Sequence, residues 1–108
     1  MHYFVYILYS ESIDKYYVGK SEYPENRLTY HNSDSNKIWT KRGKPWESKT
    51  TIEFENEAQA TKAERFIKNQ KSRTFIEKII SEGWDPDASG RVLGSSPLPV
   101  PRNREGGA

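Results

Sequence analysis

No cysteine occurs in the 108 residues of this chain. Disulfides, zinc–thiolate sites and thiol nucleophiles are therefore excluded, and a reducing compartment is expected, so the chain reads as cytoplasmic. Two histidines are too few for a metal site closed by imidazoles and thiolates alone. Long apolar runs are missing too: the stretch that begins at Tyr3 is short, and only His2 separates it from Met1, leaving no basic segment for a signal peptide. The expectation is a protein with no membrane partner. Hydrophobic residues make up only 33% of the chain, yet aromatics reach 13%. Tyr, Trp and Phe must then supply much of the buried area of one thin core.

The net charge of +2 is small but unevenly placed. Residues 82–108 hold Arg91, Arg102 and Arg104 against Glu82, Asp85, Asp87 and Glu105, so the positive excess lies on residues 1–81. Two basic clusters stand out there, Lys37, Lys41, Arg42, Lys44 and Lys49, then Lys62, Arg65, Lys68, Lys71 and Arg73. Such clusters either neutralise phosphates of a nucleic acid or form an ordinary solvated surface.

Tyr3 to Tyr9 (YFVYILY) is β-branched and aromatic on both alternating faces, which predicts a central strand covered on both sides. Polar Ser10 to Lys15 predicts a turn longer than two residues, and Tyr16 to Lys20 an antiparallel partner strand. Ser21 is a candidate cap for a helix that takes Pro24 in its first turn and runs to about Asn32. Ser33 to Glu47, with Gly43 and Pro45, reads as a basic irregular loop. Its Trp39 and Trp46 either anchor the loop, the commoner use, or stack on bases. A third strand is expected over Ser48 to Phe54, a helix from about Glu57 to Gln70, and a last helix capped by Ser72 and running to about Ser81. The fold class is thus α/β in the α+β sense, a small three-stranded antiparallel sheet flanked by about three helices over residues 1–81. Residues 82–108, rich in Pro, Gly, Ser and Arg, are expected to form a disordered or irregular tail.

Five positions invite a chemical reading. Tyr6 and Tyr17 lie near the centres of the two hairpin strands, where they either face one another or point to opposite sides of the sheet. Arg27 and His31 are four apart and so share one helix face. Glu64 follows Ala60 by four residues and precedes Ile67 by three, which sets its carboxylate beside an apolar stripe. It then either pairs with Lys68 at helical spacing or holds a metal.

Taken in order, FVY in the first strand, YVGK closing the second, NRLTYHN in the first helix and KAERFIK in the second resemble the GIY-YIG nuclease family over roughly Tyr3 to Ser81. Phe4-Val5-Tyr6 stands where the family has Gly-Ile-Tyr, and Tyr17-Val18-Gly19 differs from the second signature by one conservative change. Small single-domain members are the most similar. The resemblance matches Tyr6 and Tyr17 to the motif tyrosines, Arg27 to the helix arginine, His31 to the histidine or tyrosine one turn later, and Glu64 to the metal-binding glutamate. Lys20 matches a lysine of the DNA-repair branch that performs nucleotide excision. The further Asn or Gln of many members has no match, because Asn69 follows Glu64 too closely.

What the resemblance implies is an endonuclease that hydrolyses phosphodiester bonds in nucleic acid, DNA rather than RNA, with one Mg²⁺ or Mn²⁺ on Glu64. Arg27 would contact phosphoryl oxygens. Tyr6 and Tyr17 would align or deprotonate water, and His31 would relay a proton or orient a tyrosine. The competing expectation is a catalytically weak nucleic-acid-binding module that uses the same basic face.

Overall fold

The computed structural model describes residues 2–36, 38–86 and 98–101. Strands β1 (Tyr3–Ser10) and β2 (Lys15–Ser21) are followed by helix α1 (Pro24–His31), a short 3₁₀ helix (Trp39–Gly43), strand β3 (Trp46–Phe54) and helices α2 (Glu57–Gln70) and α3 (Arg73–Glu82). The sheet order is β2-β1-β3, both pairings antiparallel, which puts the apolar β1 in the middle as its two-sided pattern predicts.

The face that carries Val5, Ile7, Val18, Ile52 and Phe54 packs on Ala60, Ala63 and Ile67 of α2 and on Ile79 of α3. Alanines at the spacing of Ala60 and Ala63 let α2 approach the strands closely, and burying Phe54 alone is worth roughly 1.5–3 kcal/mol. Asn56 caps α2 by accepting from the Gln59 backbone N–H at 2.9 Å, and Ser72 caps α3 by accepting from Phe75 N–H at 3.1 Å. The opposite face buries Tyr6, Leu8 and Trp46, with Tyr17 and Leu28 of α1 packed against them.

Several expectations need correction. Ser21 does not cap α1: it ends β2, and its Oγ accepts from the Tyr23 backbone N–H at 2.9 Å, a local turn that delays the helix to Pro24. The segment 33–47 is not irregular throughout, since it contains the 3₁₀ helix and the start of β3. Strand β3 begins two residues early because Asn32 grips Trp46 by both backbone groups, accepting from its N–H and donating Nδ2 to its carbonyl at 3.1 Å. Trp46 is 3% exposed, an anchor and not a stacking platform. Its orientation depends on a bulge. Ile7 pairs with Thr50 but Leu8 with Ser48, so Lys49 is the extra residue and the strand's alternation changes sides there.

The described part of the expected irregular tail lies against the core. Helix α3 runs through Glu82, and Trp84 packs edge-on against Phe54 and Phe66, with ring centroids 6.1 and 6.4 Å apart. The Trp84 indole donates to the Pro99 carbonyl at 2.8 Å, and Leu98 is buried. A large aromatic ring with its N–H satisfied outweighs the surrounding Pro and Gly signals. Positions 87–97 and 102–108 of the expected tail, and Lys37 of the first basic cluster, lie outside the described residues.

Candidate active site

The register sets the first group of candidate residues. Tyr6 pairs with Gly19 and Leu8 with Tyr17, so Tyr6 and Tyr17 are diagonal neighbours on one face, with ring centroids 6.1 Å apart. Of the two arrangements open to them in the sequence, the tyrosines take the same-face one. Gly19 makes this possible. A Cβ there would lie 2.5 Å from Tyr6 Oη and 2.6 Å from its Cζ, so the phenol rests directly on the glycine backbone. The signature glycine is thus a seat for a ring, not a turn residue.

Helix α1 covers this face and supplies Arg27 and His31. The His31 ring is fully buried, 4.6 Å from the Tyr17 centroid, with Nε2 3.4 Å from Tyr6 Oη. Its Nδ1 lies 2.9 Å from Thr40 Oγ1, and that hydroxyl also accepts from Asn36 Nδ2 at 2.8 Å. Asn36 Nδ2 donates to the His31 carbonyl as well, at 2.9 Å, and the Trp46 indole donates to the Thr40 carbonyl at 2.6 Å. Burial first, and then the nearby Arg27 charge, lower the His31 pKa to about 4. The imidazole is therefore neutral at pH 7, with one nitrogen donating and the other accepting. Burial raises the Tyr6 pKa to about 12, although the adjacent Arg27 works against it. Arg27 lies over the Tyr30 ring at 4.7 Å from its centroid, a cation–π contact that orients the guanidinium.

The second group belongs to the other side of the sheet. Lys20 pairs with Val5 and so faces α2, where its Nζ donates to Glu57 at 3.0 Å and lies over the Tyr3 ring at 5.6 Å. Its pKa is raised, mainly by the Glu57 hydrogen bond, with Glu64 among the nearby negative charges. The Glu64 side chain is only 14% exposed and meets Lys68 at 3.2 Å, the helical pair expected from spacing. The six candidate residues thus form two sets astride the edge strand β2, with Tyr6, Tyr17, Arg27 and His31 on one side and Lys20 and Glu64 on the other. Among the described residues no three His, Cys, Asp or Glu side chains cluster as a metal cage. Sequence reasoning missed Thr40 and Asn36, which hold His31. They lie in an aperiodic Asn- and Lys-rich stretch where no spacing marks them.

No helix among the described residues is long and apolar enough to cross a membrane. The chain matches the model of the GIY-YIG catalytic domain over residues 2–78. It is similar in fold to the solution NMR structure of a UPF0213 protein from Bacillus halodurans, with a TM-score of 0.50 and 24% identity over 89% of this chain and 100% of that one. No curated protein matches the chain. The family match covers the strands, α1, α2 and most of α3, with both tyrosine signatures, and on that ground the chain belongs to the GIY-YIG nuclease family.

Proposed function

We propose that this chain is an endonuclease that hydrolyses phosphodiester bonds in nucleic acid, DNA rather than RNA, with the help of one Mg²⁺ or Mn²⁺. One observation carries the reading: Tyr6, Tyr17, Arg27 and His31 come from β1, β2 and α1 and pack into one group that only a glycine at position 19 allows.

The two tyrosines take different parts. Tyr6 is 2% exposed and stays a phenol at neutral pH, so it positions its neighbours and does not accept a proton. Tyr17 is half-buried and reaches the surface; having given its own phenol proton to solvent, it aligns the attacking water as a phenolate and takes one proton from it as the water oxygen bonds to phosphorus. The bond from phosphorus to the leaving ester oxygen breaks, and that oxygen is protonated from solvent. His31, neutral and tied to Thr40, holds the tyrosine pair without adding a charge. Arg27 donates paired N–H groups to the phosphoryl oxygens as negative charge builds there.

Glu64 fits a hard divalent ion: it is a carboxylate largely withdrawn from water, and a single protein carboxylate suits an ion that keeps most of its waters. Such an ion supplies charge stabilisation at the phosphate and the leaving oxygen. Lys20, held by Glu57, adds fixed positive charge near Glu64. The Glu64–Lys68 pair favours a second reading, a binding module in which that carboxylate only balances a lysine.

The test incubates wild type, Glu64→Ala, Tyr17→Phe and Tyr6→Phe with labelled single-stranded, duplex and branched DNA and RNA, with Mg²⁺, Mn²⁺ or chelator. Metal-dependent cleavage is expected, abolished in Glu64→Ala and reduced about 10²–10⁴-fold in Tyr17→Phe. Tyr6→Phe should lose less. Binding without cleavage in the wild type would leave the binding module standing.

A further inference from the structure

Beyond the β2 edge, β2, the end of α2 and the start of α3 enclose an open cleft of roughly 450 Å³, within the range of about 300–1,000 Å³ usual for small-molecule sites. Its accessible apolar lining comes from Tyr16, Tyr17 and Ile76, over the buried Val18 and Ile67, and its polar lining includes Lys15, Lys68, Lys71 and Arg73. Arg73 is committed to Asp14 and Glu77, and Lys68 to Glu64. Lys15 and Lys71 enter none of the ion pairs among the described residues. The one acidic residue of the cleft, Asp14, is already neutralised by Arg73, whose hydrogen bond lowers its pKa. The cleft therefore combines apolar side chains with two cations outside the ion pairs of the described residues, Lys71 and Lys15, of which Lys15 also acts on the nearby Asp14 charge.

A second observation concerns the backbone. Among the described residues, only Asp14 (φ 54°) and Lys71 (φ 48°) are non-glycine residues at positive φ, and both line this cleft. Lys71 ends α2 in the left-handed conformation, where glycine is the usual choice and a lysine is strained. Strain of this kind gathers at ligand sites. Tyr17 also lines the cleft, so it is continuous with the tyrosine group.

We infer that this cleft seats one nucleotide of the substrate strand next to the scissile phosphate, with its base against Tyr16 and Ile76 and its phosphates at Lys15 and Lys71. The inference rests on the nuclease reading and extends it. The strand then runs along the edge of β2 instead of crossing α1. A base can enter the cleft only if it is unstacked from a partner, so the site takes a single strand or a frayed end in preference to intact duplex.

The test measures fluorescence anisotropy of a labelled single-stranded oligonucleotide in chelator, so that binding is read without cleavage, against wild type, Lys71→Gly and Lys15→Ala/Lys71→Gly. Lys71→Gly removes the charge while relieving the left-handed backbone, so its Tm should hold or rise by about 4 °C as its affinity falls. The double variant should bind roughly tenfold more weakly at low salt, and its log K against log salt slope should shrink by about 0.7 for each lysine lost. An oligonucleotide with abasic sites should bind wild type more weakly than the intact strand. Equal affinity of wild type and the double variant, or competition by polyglutamate as effective as by oligonucleotide, overturns the assignment. Metal-dependent cleavage that persists in wild type and is lost in Glu64→Ala would then leave the nuclease reading intact. Cleavage equal in those two proteins would overturn that reading instead.

Discussion

The two faces of the sheet are built from different materials. On the α2 and α3 side the strands meet a continuous apolar cluster, from Val5 and Phe54 to Ile67 and Ile79. On the α1 side only Tyr6, Leu8 and Trp46 form the buried apolar cluster. Among the described residues, the buried polar ones, Ser10, His31, Asn36 and Thr40, lie on that side. One face supplies cohesion by area, which is tolerant of chemistry and sensitive to volume. The other supplies a hydrogen-bonded frame, in which each polar atom must keep its partner. Tyr17 lies on the second face because its pairing with Leu8 gives it the same parity as Tyr6.

Four measurements would break or sharpen this contrast. Phe54→Ala, on the apolar face, should lower stability by about 3–5 kcal/mol in urea titration while leaving the relative order of the tyrosine variants unchanged. Gly19→Ala forces a Cβ onto the Tyr6 ring and should cost about 1–3 kcal/mol, and unlike Phe54→Ala it should depress cleavage beyond what its remaining folded fraction explains. If Gly19→Ala cleaves normally when fully folded, the seat under Tyr6 is not needed for activity.

The third concerns pH. The His31 pKa is depressed from 6.5 to about 4 on folding, so the unfolded chain binds the extra proton. The stability due to neutral His31 is present above pH 6.5 and is lost as pH falls toward 4, amounting to about 1 kcal/mol by pH 5.5. Comparing urea midpoints of wild type and His31→Gln at pH 7 and pH 5.5 should isolate it, and a parallel fall in both proteins would show that other groups are responsible. The smallest effect is Lys68→Met. It removes a pair worth about 0.3–0.5 kcal/mol, discounted further because Lys68 is half-exposed. Calorimetry should show almost no change in Tm, while metal-dependent cleavage shifts only if Lys68 competes with the ion for Glu64.

Much of the fold was legible in the residues themselves. The two-sided apolar run of Tyr3 to Tyr9 marks a central strand, and Ala58, Ala60, Ala63, Phe66 and Ile67 at helical spacing place α2 at the bounds the structure shows. What was not legible depends on partners distant in sequence. The start of β3 is set by Asn32 fourteen residues earlier, and the 3₁₀ helix that carries Thr40 is fixed by the Trp46 indole. Local propensity sees only the Gly43 and Pro45 beside it. The order of the motifs nominates six candidate residues but not their division between two faces, because that follows from register, which pairs Tyr6 with Gly19 and Val5 with Lys20. The role of Gly19 is likewise a property of what lies above it.

The bulge at Lys49 gives β3 two phases. Its residues after the bulge point Ile52 and Phe54 to the apolar core, while Trp46 and Ser48 before it obey the opposite parity. A one-residue deletion here would not trim a loop. It would act as a frameshift in space, turning Trp46 away from Thr40 and leaving the polar frame around His31 without its keystone, although every side chain involved is still encoded. An insertion early in the hairpin turn, before Asp14 and its tie to Arg73, leaves both strand parities unchanged, so length variation should be better tolerated there than in the middle of β3.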